Sequence, residues 1–140
     1  MNRQPGRSHA FTLIELLLVL VILAVLAAVV VPKFTNRSEQ ARITAAKAQI
    51  SSLETALTGF EVDCGRFPTN DEGLQALVQQ PANVQNWKSY MKQIPKDPWG
   101  NPYVYRAPGT HNPQDFDLFS IGPDGREGND DITNWSEDAK

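Results

Sequence analysis

The longest uninterrupted apolar stretch of the chain lies close to its N-terminus. No residue from Leu16 to Val31 is charged or polar, and with residues 11–14 in front the stretch spans about 21 residues. A helix rises about 1.5 Å per residue, so a helix of this length matches the roughly 30 Å hydrocarbon core of a bilayer. The pattern therefore predicts a membrane-spanning helix over residues 11–32.

One acidic residue, Glu15, interrupts this apolar stretch. A carboxylate inside hydrocarbon costs about 2.5–3.5 kcal/mol or more unless it is paired, so an acid in such a place indicates a function. No lysine or arginine occurs between Phe11 and Pro32. A cationic partner for Glu15 must therefore come from elsewhere.

A secretory signal peptide and a plain single-span anchor are simpler interpretations of the same stretch. Basic residues precede it (Arg3 and Arg7) and small residues lie near its end (Ala24, Ala27 and Ala28). The apolar run exceeds the usual 7–15 residues of a signal peptide and contains an acid, which favours a retained anchor. The arginines predict that the N-terminal end stays in the cytoplasm and the rest of the chain faces the periplasm.

The pattern becomes amphipathic after Pro32. Proline lacks an amide hydrogen, so either a kink or a helix end is expected there. From Lys33 to about Asp63 apolar residues recur at spacings of three and four, and Gly65 is typical of a helix end. This continuation favours a kink within a helix of about 50 residues. The recurring apolar residues are Ile43, Ala46, Ile50, Leu53, Leu57 and Phe60.

The second half of the chain predicts shorter elements. Thr69 and Glu72 have the spacing of a capping box, which predicts a helix from Asp71 to about Gln79 with Leu74, Leu77 and Val78 inward. Prolines at 95, 98 and 102 exclude a helix around them. Residues 103–106 and 116–121 have the composition of strands. Two strands alone are marginal, so we expect them to lie against the long helix.

Composition narrows the classes of function. The chain has 140 residues and a net charge of −3, so the part beyond the membrane stretch forms one small domain. Without a basic stripe, nucleic-acid binding is not expected. Neither His111 nor Ser120 has the partners of a catalytic site, which predicts a non-enzymatic protein.

The single cysteine, Cys64, excludes an intrachain disulfide; it is either an intermolecular site or a small buried residue.

The segment 122–131 concentrates acidic residues. It contains four acids and three glycines in ten residues. A hard cation relieves the repulsion of crowded carboxylates, and calcium takes six to eight oxygen ligands in irregular loops that suit magnesium poorly. The spacing is not that of an EF-hand, so a solvated acidic turn is the alternative. The acids are Asp124, Glu127, Asp130 and Asp131.

The N-terminal residues resemble the type IV pilin and pseudopilin superfamily. A short basic leader, residues 1–10, precedes Phe11-Thr-Leu-Ile-Glu15. The resemblance implies that a prepilin peptidase cleaves between Ala10 and Phe11 and that Phe11 is then N-methylated. It also implies that Glu15 pairs with the N-terminal ammonium of a neighbouring subunit. Ala10 replaces the usual glycine of the family, so we expect cleavage to survive at a lower rate.

Later motifs resemble the major pseudopilin of type II secretion systems more specifically. They are Gly73–Leu77, Asp97–Tyr103, Ser120–Gly125 and Asp130–Trp135. The resemblance implies a calcium site in the acidic segment, which is about one residue shorter here than in some relatives. The implied ligands are the side chains of Asp124, Asp130 and Asp131, with backbone oxygens near Ile121 and Asn129.

The resemblance implies an α+β fold of the type IV pilin kind, in which a long N-terminal helix packs on a small antiparallel sheet with a calcium-binding C-terminal loop. The implied organisation is a leader (1–10), a transmembrane and filament-core helix (11–32) and a periplasmic domain (33–140).

The implied function is polymerisation into a periplasmic filament that drives export of folded proteins across the outer membrane. The implied partners are further copies of the chain, the prepilin peptidase and methyltransferase, minor pseudopilins and the inner-membrane assembly platform. A type IV pilin, a minor pseudopilin and a soluble periplasmic domain with a signal peptide are the alternatives. Type IV pilins usually carry a C-terminal disulfide, which this chain cannot form.

Overall fold

The long N-terminal helix, α1, is the largest element of the structure. The computed structural model describes the backbone of residues 11–136 and the side chains of residues 11–28 and 37–136. Helix α1 runs over Leu13–Cys64, 52 residues. The predicted helix of about 50 residues is therefore confirmed. It does not end at Pro32, and the kink at that residue stays a prediction. The leader, residues 1–10, lies outside the described residues.

The chain divides into two compact units between Glu39 and Gln40. In the first unit, the described side chains from Phe11 to Ala28 are all exposed. Among residues 11–136, no helix combines the length and the apolar character that crossing a membrane requires.

In the second unit, the apolar face of α1 forms one wall of the core. The residues predicted to face inward are almost wholly buried there, while Ile43 packs at the edge of the core. The helix ends at Cys64 because Gly65 adopts a positive φ of 75°, and its amide donates to the carbonyl of Glu61 at 2.7 Å. The buried residues of this face are Ala46, Ile50, Leu53, Leu57 and Phe60.

A short 3-10 helix at Gly73–Leu77 replaces the predicted helix over residues 71–79. The capping box itself is confirmed: the amide of Thr69 donates to Glu72 Oε2 (2.8 Å), and the amide of Glu72 donates to Thr69 Oγ1 (3.3 Å). A right-handed α-helix cannot run through residue 73, because Gly73 has a φ of +55°. Leu74 and Leu77 are buried as predicted, whereas Val78 is only half-buried.

Three strands form an antiparallel sheet in the order β1-β2-β3. They are β1 (Val104–Arg106), β2 (Asp117–Ser120) and β3 (Ile132–Thr133). Val104 pairs with Phe119, and Ser120 pairs with Ile132. The two predicted strands are confirmed with shorter bounds, and β3 was not predicted. Residues of the sheet share one core with the second half of α1, which confirms the predicted packing.

Candidate functional sites

Glu15 lies in the first turn of α1. At the start of the helix, the amides of Glu15 (3.1 Å) and Leu16 (3.3 Å) donate hydrogen bonds to the carbonyl of Thr12. A carboxylate in a first helical turn is favoured by the helix dipole. Its side chain is exposed, and no salt bridge within the described part of the chain involves it. Phe11 is 76% exposed; Ala10 lies outside the described residues.

The N-terminal part of α1 presents an apolar surface around its whole circumference. The large hydrophobic side chains from Phe11 to Leu26 are between 49% and 80% exposed. Contiguous exposed apolar surface of this extent marks a site of contact with a membrane or with other protein. Glu15 is the one charged residue on it.

The acidic loop, residues 121–131, connects β2 to β3 and is closed at its base by Gly122. This glycine has a φ of +65°. A Cβ built on Gly122 would lie only 3.0 Å from the carbonyl oxygen of Asp130 and 3.2 Å from Oδ2 of the same aspartate. Glycine is required here by both the conformation and the space. The close approach brings the end of the loop back to its beginning.

The predicted ligands occupy different positions around this loop. Asp124 Oδ1 accepts a hydrogen bond from the amide of Arg126 (2.9 Å), and Asp131 Oδ2 accepts one from the amide of Gly128 (3.2 Å). Ile121 is half-buried and Asn129 is exposed. Within residues 11–136, no three carboxylate, imidazole or thiol groups are gathered in a metal-binding arrangement. The loop therefore brings Asp130 to Gly122 but does not bring the three predicted aspartates together.

Asp131 has a carboxylate oxygen that is suited to binding a cation. Its Oδ1 is buried and has no hydrogen-bond partner among the described residues. Burial raises the pKa of Asp131; the Gly128 amide opposes this, and the neighbouring carboxylates of Asp130, Glu127 and Asp124 add to the rise. A buried carboxylate oxygen without a donor, surrounded by like charges, is unfavourable until a cation satisfies it.

The fourth acid of the loop has a different role. Glu127 accepts a hydrogen bond of 2.5 Å from Arg106 Nη2, and the Arg106 guanidinium lies 5.4 Å from the centre of the Phe119 ring. This ion pair fastens the middle of the loop to β1. Arg106 thus supplies positive charge beside the loop, and its partner Glu127 does not belong to the predicted ligand set.

Two buried aspartates support the loops and were not identified from the sequence. Asp97 and Asp117 are 4% and 1% exposed. Burial raises the pKa of Asp117, but hydrogen bonds from the amides of His111, Asn112 and Thr110 hold it below its usual value. An aspartate followed within five residues by Gly and Asn is the signal that could have indicated the Asp97 turn.

Comparisons with known proteins agree with this architecture. Residues 33–135 match the family described as "Type II secretion system (T2SS), protein G", and residues 5–31 match the "Prokaryotic N-terminal methylation motif". The type II secretion system core protein G of Pseudomonas aeruginosa is 47% identical, with 94% of this chain and 98% of that protein covered. The corresponding Escherichia coli K12 protein is 42% identical, with 99% and 98% covered.

A solved structure shows the same fold. The crystal structure of the major pseudopilin from the type 2 secretion system of enterohaemorrhagic Escherichia coli superimposes with a TM-score of 0.66 at 36% identity. It covers 76% of this chain and 96% of that chain.

The fold and the N-terminal motif define a pseudopilin. The chain belongs to the type II secretion system protein G family, that of the major pseudopilin, which confirms the resemblance inferred from the sequence.

Proposed function

We propose that this chain is a structural subunit that polymerises through the N-terminal part of α1 into a periplasmic filament. The observation that carries the proposal is the apolar surface from Phe11 to Ala28, which is exposed on all sides and attached to a separately packed unit. A surface of this kind is covered when helices of many copies stack side by side. The contact is heterologous and does not close, so it propagates as a helical filament.

Processing prepares this surface. A prepilin peptidase cleaves between Ala10 and Phe11 and the new N-terminus is methylated; the match of residues 5–31 to the methylation motif supports this step. Before assembly, residues 11–32 anchor the chain in the inner membrane, with residues 33–140 in the periplasm. The absence of any charged or polar residue from Leu16 to Val31 supports the anchor.

Glu15 sets the axial register of the filament. Its carboxylate pairs with the N-terminal ammonium of a neighbouring subunit. Two unit charges about 4 Å apart attract by about 4 kcal/mol at an effective dielectric constant near 20. This offsets a burial cost of about 2.5–3.5 kcal/mol, so an unpaired subunit is disfavoured in the apolar filament core.

The acidic loop holds a calcium ion that closes the connection between β2 and Trp135. The side chains of Asp124, Asp130 and Asp131 and the backbone oxygens of Ile121 and Asn129 would hold it. The orphaned Oδ1 of Asp131 supports this assignment. The ion supplies positive charge that relieves carboxylate repulsion and stabilises the loop.

In the secretion system, the filament acts together with the minor pseudopilins and with an inner-membrane assembly platform. It pushes folded proteins through an outer-membrane channel. The names of the relatives, which are secretion-system core proteins, support this role. The chain itself contributes no catalysis.

Glu15→Gln tests the proposed assembly. The full-length chain is produced with its secretion machinery, and filaments are counted by electron microscopy after overexpression. We expect the variant to stay membrane-inserted but to form few or no filaments, because the charge that recruits the ammonium is gone. Glu61→Gln, an exposed acid on the same helix, is the matched control and should assemble normally. Normal filaments from Glu15→Gln would overturn the register role.

A further inference from the structure

Gly122, at the start of the acidic loop, is held at both of its backbone polar groups. Its amide donates to Ser120 Oγ (3.2 Å), and its carbonyl oxygen accepts a hydrogen bond from Asn101 Nδ2 (3.2 Å). Ser120 Oγ in turn donates to Asp97 Oδ2 at 2.6 Å. The first turn of the loop is therefore fixed by Ser120 beside it and by Asn101 and Asp97, which come from an earlier turn of the chain.

The turn that carries Asn101 is itself rigidly built. The carboxylate of Asp97 is buried, and its Oδ1 accepts hydrogen bonds from the amides of Trp99 (3.1 Å) and Asn101 (2.7 Å). The amide of Asp97 also donates to the carbonyl of Asn101 at 2.9 Å. These bonds hold the backbone of the turn, and so they fix the position from which the Asn101 side chain reaches the loop.

Asn101 lies against two of the loop glycines. Besides its bond to Gly122, its side chain is the nearest group to a Cβ built at Gly125, with Oδ1 at 3.9 Å and Nδ2 at 4.0 Å. The Cβ position of Gly122 faces the carbonyl and carboxylate of Asp130. The amide of Asn101 thus holds the residue against which the end of the loop closes.

We propose that Asn101 is a positioning residue for cation binding by the acidic loop. Its Nδ2 holds the carbonyl of Gly122, and so keeps the first turn of the loop in the conformation to which Asp130 returns. Because this turn is already fixed when the cation arrives, less of the loop has to be ordered on binding, which lowers the cost of binding. This inference rests on the calcium site proposed above, and adds to it a neutral residue from outside the acidic segment.

The Asn101→Asp variant separates positioning from charge. The substitution removes the Nδ2 donor and places a negative charge beside the loop. If net charge alone governs affinity, this variant binds calcium more tightly than the wild type. If the donor positions the loop, binding weakens despite the added charge. We expect it to weaken by about tenfold, and Asn101→Ala to weaken by a similar factor, as is usual when a group that supports a metal ligand is lost.

Asn70 offers a matched control. Its Oδ1 accepts a hydrogen bond of 2.8 Å from the amide of Ala107, so it also ties a side-chain amide to a loop backbone, but not to the acidic loop. Asn70→Asp and Asn70→Ala should leave calcium affinity unchanged, even if they lower thermal stability. A general loss of loop order would not separate the two asparagines in this way.

The experiment uses the full chain in detergent micelles. Calcium affinity is measured by isothermal titration calorimetry after removal of divalent ions, and folding of each variant is checked by tryptophan-fluorescence melting in EDTA. The chain has three tryptophans, Trp87, Trp99 and Trp135, and all belong to the second unit. The half-exposed Asn101 side chain should tolerate Asn101→Ala, which decides the question if Asn101→Asp does not fold.

Each result is decisive. Weaker binding by both Asn101 variants with unchanged binding by the Asn70 variants supports the proposal. Wild-type affinity or tighter binding in a folded Asn101 variant overturns the positioning role and leaves the calcium site standing. Absence of calcium binding by the wild type overturns both.

Discussion

The hydroxyl of Ser120 donates a 2.6 Å hydrogen bond to Oδ2 of Asp97, and both residues are almost completely buried. The bond joins the turn at residues 97–101 to the end of β2, where Ser120 lies 23 positions after Asp97. Because Oδ1 of the same carboxylate accepts the amides of Trp99 and Asn101, Asp97 satisfies three donors, one of them fully buried and two partly buried.

Replacement of Asp97 should therefore destabilise the second unit. Asp97→Ala leaves three donors without an acceptor, and we expect a loss of about 3 kcal/mol in the free energy of unfolding. Asp97→Asn keeps one acceptor oxygen and should cost less. Tryptophan-fluorescence unfolding of the full chain in detergent measures both. Equal stability of Asp97→Ala and the wild type would contradict the proposed support.

The loop after β1 depends in the same way on Asp117. Its carboxylate accepts the amides of Thr110 (2.7 Å), His111 (2.9 Å) and Asn112 (3.0 Å). Asp117→Ala should cost about 3 kcal/mol and increase hydrogen exchange in residues 110–112, because these amides lose their acceptor. Asp115→Ala, a neighbouring exposed acid, is the control. Unchanged exchange in the Asp117 variant would refute the clamp.

Low pH should lower the stability of the second unit, partly because Glu72 becomes protonated. Hydrogen bonds from Arg66 at 2.7 Å lower the pKa of Glu72 from 4.5 to about 2. A carboxyl whose folded pKa is lowered contributes stability above its unfolded pKa and loses it as the pH falls through the folded pKa. The melting temperature should thus drop as the pH falls from about 4.5 to about 2.

Glu72→Gln shows whether this ion pair is responsible. The variant should melt lower than the wild type at pH 7, and the difference should shrink as the pH approaches 2, where Glu72 of the wild type becomes protonated. Glu61→Gln, an exposed acid, should leave the pH dependence unchanged. A difference between wild type and Glu72→Gln that is constant over this pH range would contradict the assignment.

Calcium and Asp131 should act on the same melting transition. Calcium should raise the melting temperature of the wild type, and EDTA should reverse the rise, because only the folded loop binds the ion. Asp131→Asn removes the charge of a half-buried carboxylate whose Oδ1 lacks a donor, so it should be no less stable than the wild type in EDTA and should gain little from calcium. A full calcium response in Asp131→Asn would exclude this residue as a ligand.

Elements that depend on a periodic or local sequence pattern were predictable from the sequence, and those that depend on contacts between distant residues were not. Helix α1 was predicted to within a few residues because its spacing of three and four persists from Ile43 to Phe60. The capping box of Thr69 and Glu72 was predicted because it is local. Strand β3 was missed because two residues, Ile132 and Thr133, are too few to show alternation.

The candidate sites divide in the same way. Glu15 is conspicuous in an apolar stretch, so one residue sufficed to identify it. The acidic composition of the loop was equally visible, but the orphaned oxygen of Asp131 and the bond from Asn101 to Gly122 depend on the folded backbone. Nothing in the Asp97–Tyr103 motif indicates that its side chains contact the loop, because that contact too depends on the folded backbone.

The mass of the mature N-terminus, measured on protein extracted from membranes, tests most directly whether the apolar helix is retained and processed for assembly. We expect a polypeptide that begins at Phe11 and carries one added methyl group on its amino nitrogen. A polypeptide that begins near Val29 would show that the apolar stretch is removed as a signal peptide, and would contradict assembly through it.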